Sequence, residues 1–288
     1  MKIQANGAFD FQQSYQYMQR QNDCLYEVSG GKIRKAERLE GNKVLFEVTG
    51  RPDGVEVQIL LNEGVSDEAV RKYVTEWLDL DYDVAGFYEW AEHDVRLKDH
   101  IKKLSGFRMT GYPDIADAFL WSVLGQQITM HFAYILKKRV VEYFNHHVTF
   151  GGNKYLMMPA AGEIASLSVD VLREMQISTR KAEYIKNIMA EIDRGVLSKE
   201  NLLKYQSYDD VLKFLTSFRG IGPWSANVVL MRCLKYRNAV PIGDAGLKNV
   251  LKITDDIEKP SVKYVEEEMR HYGGYGMYAT VYLWEMLN

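Results

Sequence analysis

The chain has few cysteines and prolines, no long apolar run and no excess of positive charge. Its two cysteines, Cys24 and Cys233, stand most of the chain apart without C-x-x-C spacing. That excludes a disulfide framework, a cysteine-rich zinc site and a four-cysteine iron–sulfur cluster. Six prolines and 26% charged residues in 288 argue against disorder. No run approaches the roughly 18 apolar residues of a membrane span, so no membrane partner is expected. The opening MKIQANGAFDFQQSYQYM lacks a continuous apolar stretch and a small-residue cleavage pattern, so no secretion signal is read and a cytoplasmic protein is expected. The histidines, His146-His147 included, show no spacing with acidic residues that suggests a metal, and no cofactor is expected. A net charge of −3 does not announce a nucleic-acid binder. Global charge is a blunt test, because helix-start N–H groups hold phosphate without adding formal charge.

What the sequence does have is apolar content, 47%, enough for one large core or two moderate ones. The first hundred residues alternate as strands do. Lys43–Thr49 and Val55–Leu61 flank the turn Arg51-Pro-Asp-Gly54, which predicts a hairpin. Gly30-Gly31 separates Cys24–Val28 from Lys32–Ala36, which predicts further antiparallel pairing. After Ser66 the apolar residues recur at helical steps. From about residue 113 strand patterns almost vanish. Asp114–Phe144 carries one long stripe through Phe119, Val123, Ile128, Phe132, Ile135 and Val140, and helices are expected at 169–176, 179–193, 208–218, 225–236, 244–252, 260–271 and 277–287. The expected fold class is α+β: an N-terminal antiparallel-sheet domain with helices over 1–112, then an all-helical domain over 113–288. A monomer is the default expectation.

The informative stretch is FRGIGPWSAN at 218–227. Two helical patterns, Tyr208–Phe218 and Ser225–Tyr236, are joined by Arg219-Gly-Ile-Gly-Pro223, a helix–hairpin–helix over about 208–236. Gly220 and Gly222 permit positive φ and close approach of another backbone, and Pro223 suits a first helical turn. The helix start offers unpaired N–H groups to a phosphate, so Arg219, Gly220, Ile221, Gly222 and Ser225 are candidate DNA contacts. Lys248 is another, although a solvated lysine would read the same way. Outward-turned carbonyls of Thr216, Phe218 and Ile221 could hold a monovalent cation; no other metal is called for. A plain connection between two helices would also explain the glycines. Twenty residues beyond Trp224, the run VPIGDAGLKNVL places Asp244 at a new helix start. There it is either an N-cap worth about 0.5–2 kcal/mol or an ionised carboxylate held in a cleft.

FRGIGPWSAN, the spacing from Trp224 to Asp244, Leu124-Gly-Gln-Gln-Ile-Thr129, Ile177–Ile185 and the Tyr275–Trp284 end together resemble the helix–hairpin–helix DNA glycosylases, of the bacterial 3-methyladenine DNA glycosylase II type. The resemblance spans essentially the whole chain. It implies a base excision repair enzyme acting on double-stranded DNA that contains damaged bases, with Asp244 catalytic. It further implies Trp224, Tyr275 and Tyr17 in a pocket for the flipped base, and Gln127 as the wedge left in the duplex. Core packing is the other explanation for the aromatics, and ordinary polar surface for the glutamine. Trp224 stands where strand-nicking members carry a lysine, and an indole cannot form a Schiff base, which implies a glycosylase that leaves an abasic site. Two alternatives remain: specificity for an oxidised guanine, and a non-catalytic DNA-binding module.

Overall fold

The computed structural model describes residues 1–287. The N-terminal region is a five-stranded antiparallel sheet of β1 (Lys2–Gln4), β2 (Glu27–Ser29), β3 (Lys32–Leu39), β4 (Asn42–Arg51) and β5 (Gly54–Asn62), in the order β1-β5-β4-β3-β2. Both expected hairpins form: β4 and β5 turn through Pro52-Asp53, and β2 and β3 through Gly30-Gly31. Helix α1 (Phe11–Gln21) joins β1 to β2, and α2 (Asp67–Leu78) follows the sheet, capped by Ser66 accepting from the Ala69 N–H. Strand alternation decides what each face meets. Val44, Phe46 and Val48 face the helices, with Phe46 packing edge-on to Tyr73 and Trp77 of α2. Short helices α3 (Ala85–Ala91) and α4 (His100–Lys103) lead into the second region.

The stripe over 114–144 is not one helix. It forms α5 (Ile115–Leu124) and α6 (Met130–Phe144), broken at Gly125–Thr129 with Gln127 at φ 55°. Two interactions hold the break, one of them from far along the chain. Lys181 Nζ donates to the carbonyls of Leu124 and Gln126, both at 2.7 Å, and the Thr129 hydroxyl accepts from the Phe132 N–H to start α6. The second region also departs from an all-helical reading at one place. A hairpin of β6 (His147–Phe150) and β7 (Asn153–Leu156) turns at Gly151-Gly152 and sets Val148 and Tyr155 on Ala36 and Leu45, covering the outer face of the first sheet.

Next come α7 (Ala161–Ser166), α8 (Val169–Glu174), α9 (Thr179–Asp193), α10 (Lys199–Leu202), α11 (Tyr208–Thr216) and α12 (Pro223–Arg232), then α13 (Ala245–Thr254), α14 (Val262–Arg270) and α15 (Gly276–Glu285). One continuous core runs through both regions. Charged side chains tie them together as well. Asp79 accepts from Arg237 at 2.6 and 2.9 Å and from the Tyr278 hydroxyl at 2.6 Å. Burial alone would raise its pKa, but Lys235, Arg237 and Tyr278 hold it down at about 2.

Candidate active site

Helices α11 and α12 form the expected hairpin, and its geometry separates the two glycines. Gly220 sits at φ 98°, and a Cβ there would lie 2.3 Å from Cγ of Tyr184. Gly222 has an ordinary φ of −88° and open space where a Cβ would go. Only the first is required by the fold. Gly220→Ala is therefore expected to cost about 1–3 kcal/mol, whereas Gly222→Ala leaves the thermal midpoint nearly unchanged. Thermal melts of the two variants check this, and equal midpoints would contradict the difference.

The hairpin forms one wall of a cleft of about 2520 Å³. That exceeds the roughly 300–1,000 Å³ of a small-molecule pocket, so the cleft suits an extended ligand. The Gly125–Thr129 break, the start of α9 and the start of α13 line the rest. Gln126 fastens the break to the hairpin, donating to the Gly220 carbonyl at 2.8 Å and to Ser225 Oγ at 2.9 Å. Gln127, its neighbour, is exposed at the cleft beside exposed Met130 and His131. Arg180, in the first turn of α9, is exposed there too. Arg219 is exposed, 3.3 Å from Glu183 and over the Tyr184 ring.

Asp244 caps α13, its Oδ1 accepting from the Leu247 N–H at 3.0 Å. The same carboxylate holds two indoles. Trp284 Nε1 donates to Oδ1 at 2.8 Å and Trp224 Nε1 to Oδ2 at 3.0 Å. Trp224 in turn stacks on Trp121, with ring centroids 6.3 Å apart. Capping aspartates are commonplace, but a cap whose second oxygen is held by an indole from the opposite hairpin is a built arrangement. Tyr17 is buried at the cleft floor, its hydroxyl accepting from Arg232 at 3.1 Å and its ring against Phe107. Burial pushes its phenol above the usual range.

Two expected site residues, Tyr275 and Lys248, fall outside the cleft lining, and Ser225 and Ile221 turn their side chains inward. Tyr275 is not among the cleft-lining residues; it ends the short turn Gly273–Tyr275 ahead of α15, and its ring packs on Phe87 and Trp90 of α3. Ser225 is 1% exposed, accepting from Gln126 and donating to the Ser122 carbonyl, so its hydroxyl braces the hairpin from within. The Ile221 side chain is buried, leaving only its backbone for an outside ligand. Lys248 lies outside the cleft lining. Of the three carbonyls considered for a cation, that of Phe218 accepts the Ile221 N–H at 3.0 Å, and all three residues border the cleft. Trp284 and Arg180 fall in stretches that carry the resemblance, but the sequence assigns neither a site role. Nothing in the spacing of a tryptophan forty residues beyond Asp244 signals a shared hydrogen bond.

Comparison with known proteins places this geometry. Residues 120–273 match the family described as HhH-GPD superfamily base excision DNA repair protein, and residues 2–119 match the 8-oxoguanine DNA glycosylase N-terminal domain. The DNA-3-methyladenine glycosylase of Bacillus subtilis is 38% identical over 97% of this chain and 94% of its own. Among solved structures, the 3-methyladenine DNA-glycosylase from Archaeoglobus fulgidus superposes with a TM-score of 0.84 at 25% identity, covering 98% of this chain and 96% of its own. A Clostridium acetobutylicum 8-oxoguanine glycosylase/lyase in complex with DNA shares the fold at a TM-score of 0.70 and 18% identity, over 90% of this chain and 96% of its own. The chain therefore belongs to the HhH-GPD superfamily of base excision DNA repair proteins, as a DNA glycosylase that hydrolyses N-glycosyl bonds.

Proposed function

We propose that the protein is a monofunctional glycosylase that releases alkylated bases, of the 3-methyladenine and 7-methylguanine type, from double-stranded DNA. The observation that carries this reading is the Asp244 carboxylate at the cleft, joined directly to the hairpin through Trp224, with two indoles and a backbone N–H as its partners. A base inside a duplex is out of reach of a carboxylate, so the nucleotide swings out at a cost of a few kcal/mol. Gln127 would fill the gap, a reading supported by its exposure and its positive φ on the turn between α5 and α6. The hairpin backbone at Gly222 and the first turn of α12 meet phosphate, with Arg219 and Arg180 beside them. Trp224 supplies an aromatic face, which attracts a base made cationic by alkylation, and buried Tyr17 lies behind it on the cleft lining.

In the reaction, the N-glycosidic bond stretches and the sugar gains oxocarbenium character. Asp244 stabilises that charge, and water completes the hydrolysis. A cationic alkylpurine leaves readily, so no second carboxylate is needed as an acid. The family match of the N-terminal region supports a second reading, an oxidised guanine as substrate. Against it stands the indole of Trp224 at the place where the resemblance would put a nicking lysine.

The test is a product assay. Duplex DNA methylated with dimethyl sulfate is expected to lose methylated purines and to gain abasic sites that break only on alkali treatment. Strand breaks without alkali, or release from 8-oxoguanine DNA alone, would overturn the assignment. A protein that binds DNA and releases nothing would be a binding module. Gly222→Ala, which the fold tolerates, is expected to weaken duplex binding about 10-fold if the hairpin backbone meets phosphate. Unchanged affinity in a filter-binding or anisotropy titration would remove the hairpin from the DNA interface.

A further inference from the structure

An aspartate that only caps a helix accepts from one or two backbone N–H groups and turns its other oxygen to solvent. Asp244 has both oxygens engaged from the side, by Trp284 at 2.8 Å and Trp224 at 3.0 Å. Trp284 comes from α15, whose residues from Gly276 to Leu283 are buried, so the indole is delivered by a rigid element. A second feature fits the same contact. A Cβ on Gly246 would lie 2.8 Å from Cδ1 and 2.9 Å from Nε1 of Trp284, and 2.9 Å from Asp244 Oδ1. The indole edge therefore lies against the first turn of α13, in space that only glycine leaves open. An indole N–H is a donor and never an acceptor, so it favours a carboxylate in one orientation.

We infer that Trp284 is a positioning residue for Asp244: together with Trp224 it fixes the plane of the carboxylate, so that the charge stands ready before the bond breaks. This rests on the reading of Asp244 as the catalytic carboxylate. A preorganised charge needs no reorientation during the reaction, and a freed carboxylate would rotate and hydrate instead. Trp284 thus acts on the rate and not on the grip of DNA.

Single-turnover release from dimethyl-sulfate-methylated duplex at saturating enzyme, the Kd for an abasic-site duplex and the thermal midpoint are measured for the full chain. Trp284→Phe keeps the ring and removes the donor. It is expected to slow release about 10- to 100-fold, the worth of one hydrogen bond to a charged group, with Kd within about twofold of wild type. A wild-type rate overturns the inference. So does a parallel fall of rate, affinity and thermal midpoint, which would mark a packing role only. Gly246→Ala provides a second route that leaves the indole in the chain and crowds its contact with Asp244, the added Cβ meeting both partners. Slowed release at unchanged affinity supports the inference, and a wild-type rate overturns it even if Trp284→Phe does not fold. Asp244→Asn, run alongside, separates the two levels: if it retains activity, the catalytic reading itself falls. If it is inactive while Trp284→Phe and Gly246→Ala match wild type, only the positioning role falls.

Discussion

Asp244→Asn is expected to lower single-turnover base release by roughly 10²–10³-fold while duplex affinity stays within about twofold. The magnitude follows from charge. A carboxylate about 4 Å from a developing unit positive charge contributes on the order of 4 kcal/mol at an effective dielectric near 20, close to a thousandfold in rate. Asparagine is nearly isosteric and caps helices as well as aspartate does, so the Leu247 N–H keeps its acceptor. The difference lies on the other side of the group. An amide has one oxygen where the carboxylate has two; with that oxygen kept at the Oδ1 position for the Leu247 and Trp284 N–H groups, Trp224 must face an NH₂, donor against donor. A drop of about 1–3 kcal/mol in stability should accompany the lost rate. Release kinetics and a thermal melt on the same preparation separate the effects, and near-wild-type release would refute the role of Asp244.

The largest expected loss of stability lies far from the hairpin. Lys137 of α6 is fully buried, its amine 2.7 Å from Asp23 Oδ2 and 2.6 Å from Asp117 Oδ1, the latter without hydrogen-bond alignment. Burial alone would push its pKa down, but Asp117 and Asp23 reverse that and hold the amine charged. Lys137→Met leaves two buried carboxylates without a cation, at a cost of about 3–5 kcal/mol, or roughly 6–20 °C in thermal midpoint. The deficit should narrow in acid, and the sign can be worked out. Burial already raises the pKa of Asp117. With the lysine gone, the folded state binds protons that the unfolded state releases, so stability of the variant is regained as pH falls. Melts of both proteins at neutral and mildly acidic pH check this. A deficit that grows as pH falls would mean that the lysine is not what neutralises the pair.

Much of this protein can be read from local patterns. Alternation and turn residues specify β4 and β5 with the turn between them, and 3.6-residue periodicity locates α9, α11, α12, α13, α14 and α15 within a few residues. Each of those signals is a relation among residues near one another in the chain. The break at Gly125–Thr129 was hidden because apolar residues continue on both sides of it. What ends α5 is the amine of Lys181, more than fifty residues away. Tyr275 shows the same limit: an aromatic beside a glycine-rich turn reads the same whether it faces a cleft or α3, and only the packing of the turn Gly273–Tyr275 puts its ring on Phe87.

The sequence by itself determined the helix–hairpin–helix, the aspartate at the start of α13 and the absence of a cysteine-held cluster, since all three depend on residue type and short spacing. Only the tertiary structure decided which of two adjacent glutamines braces the hairpin and which projects, and that Ser225 is internal. It alone decided that a tryptophan forty residues on shares the Asp244 carboxylate. Hydrogen bonds of about 3 Å join whichever side chains the packed core brings together, and separation along the chain carries no record of that distance.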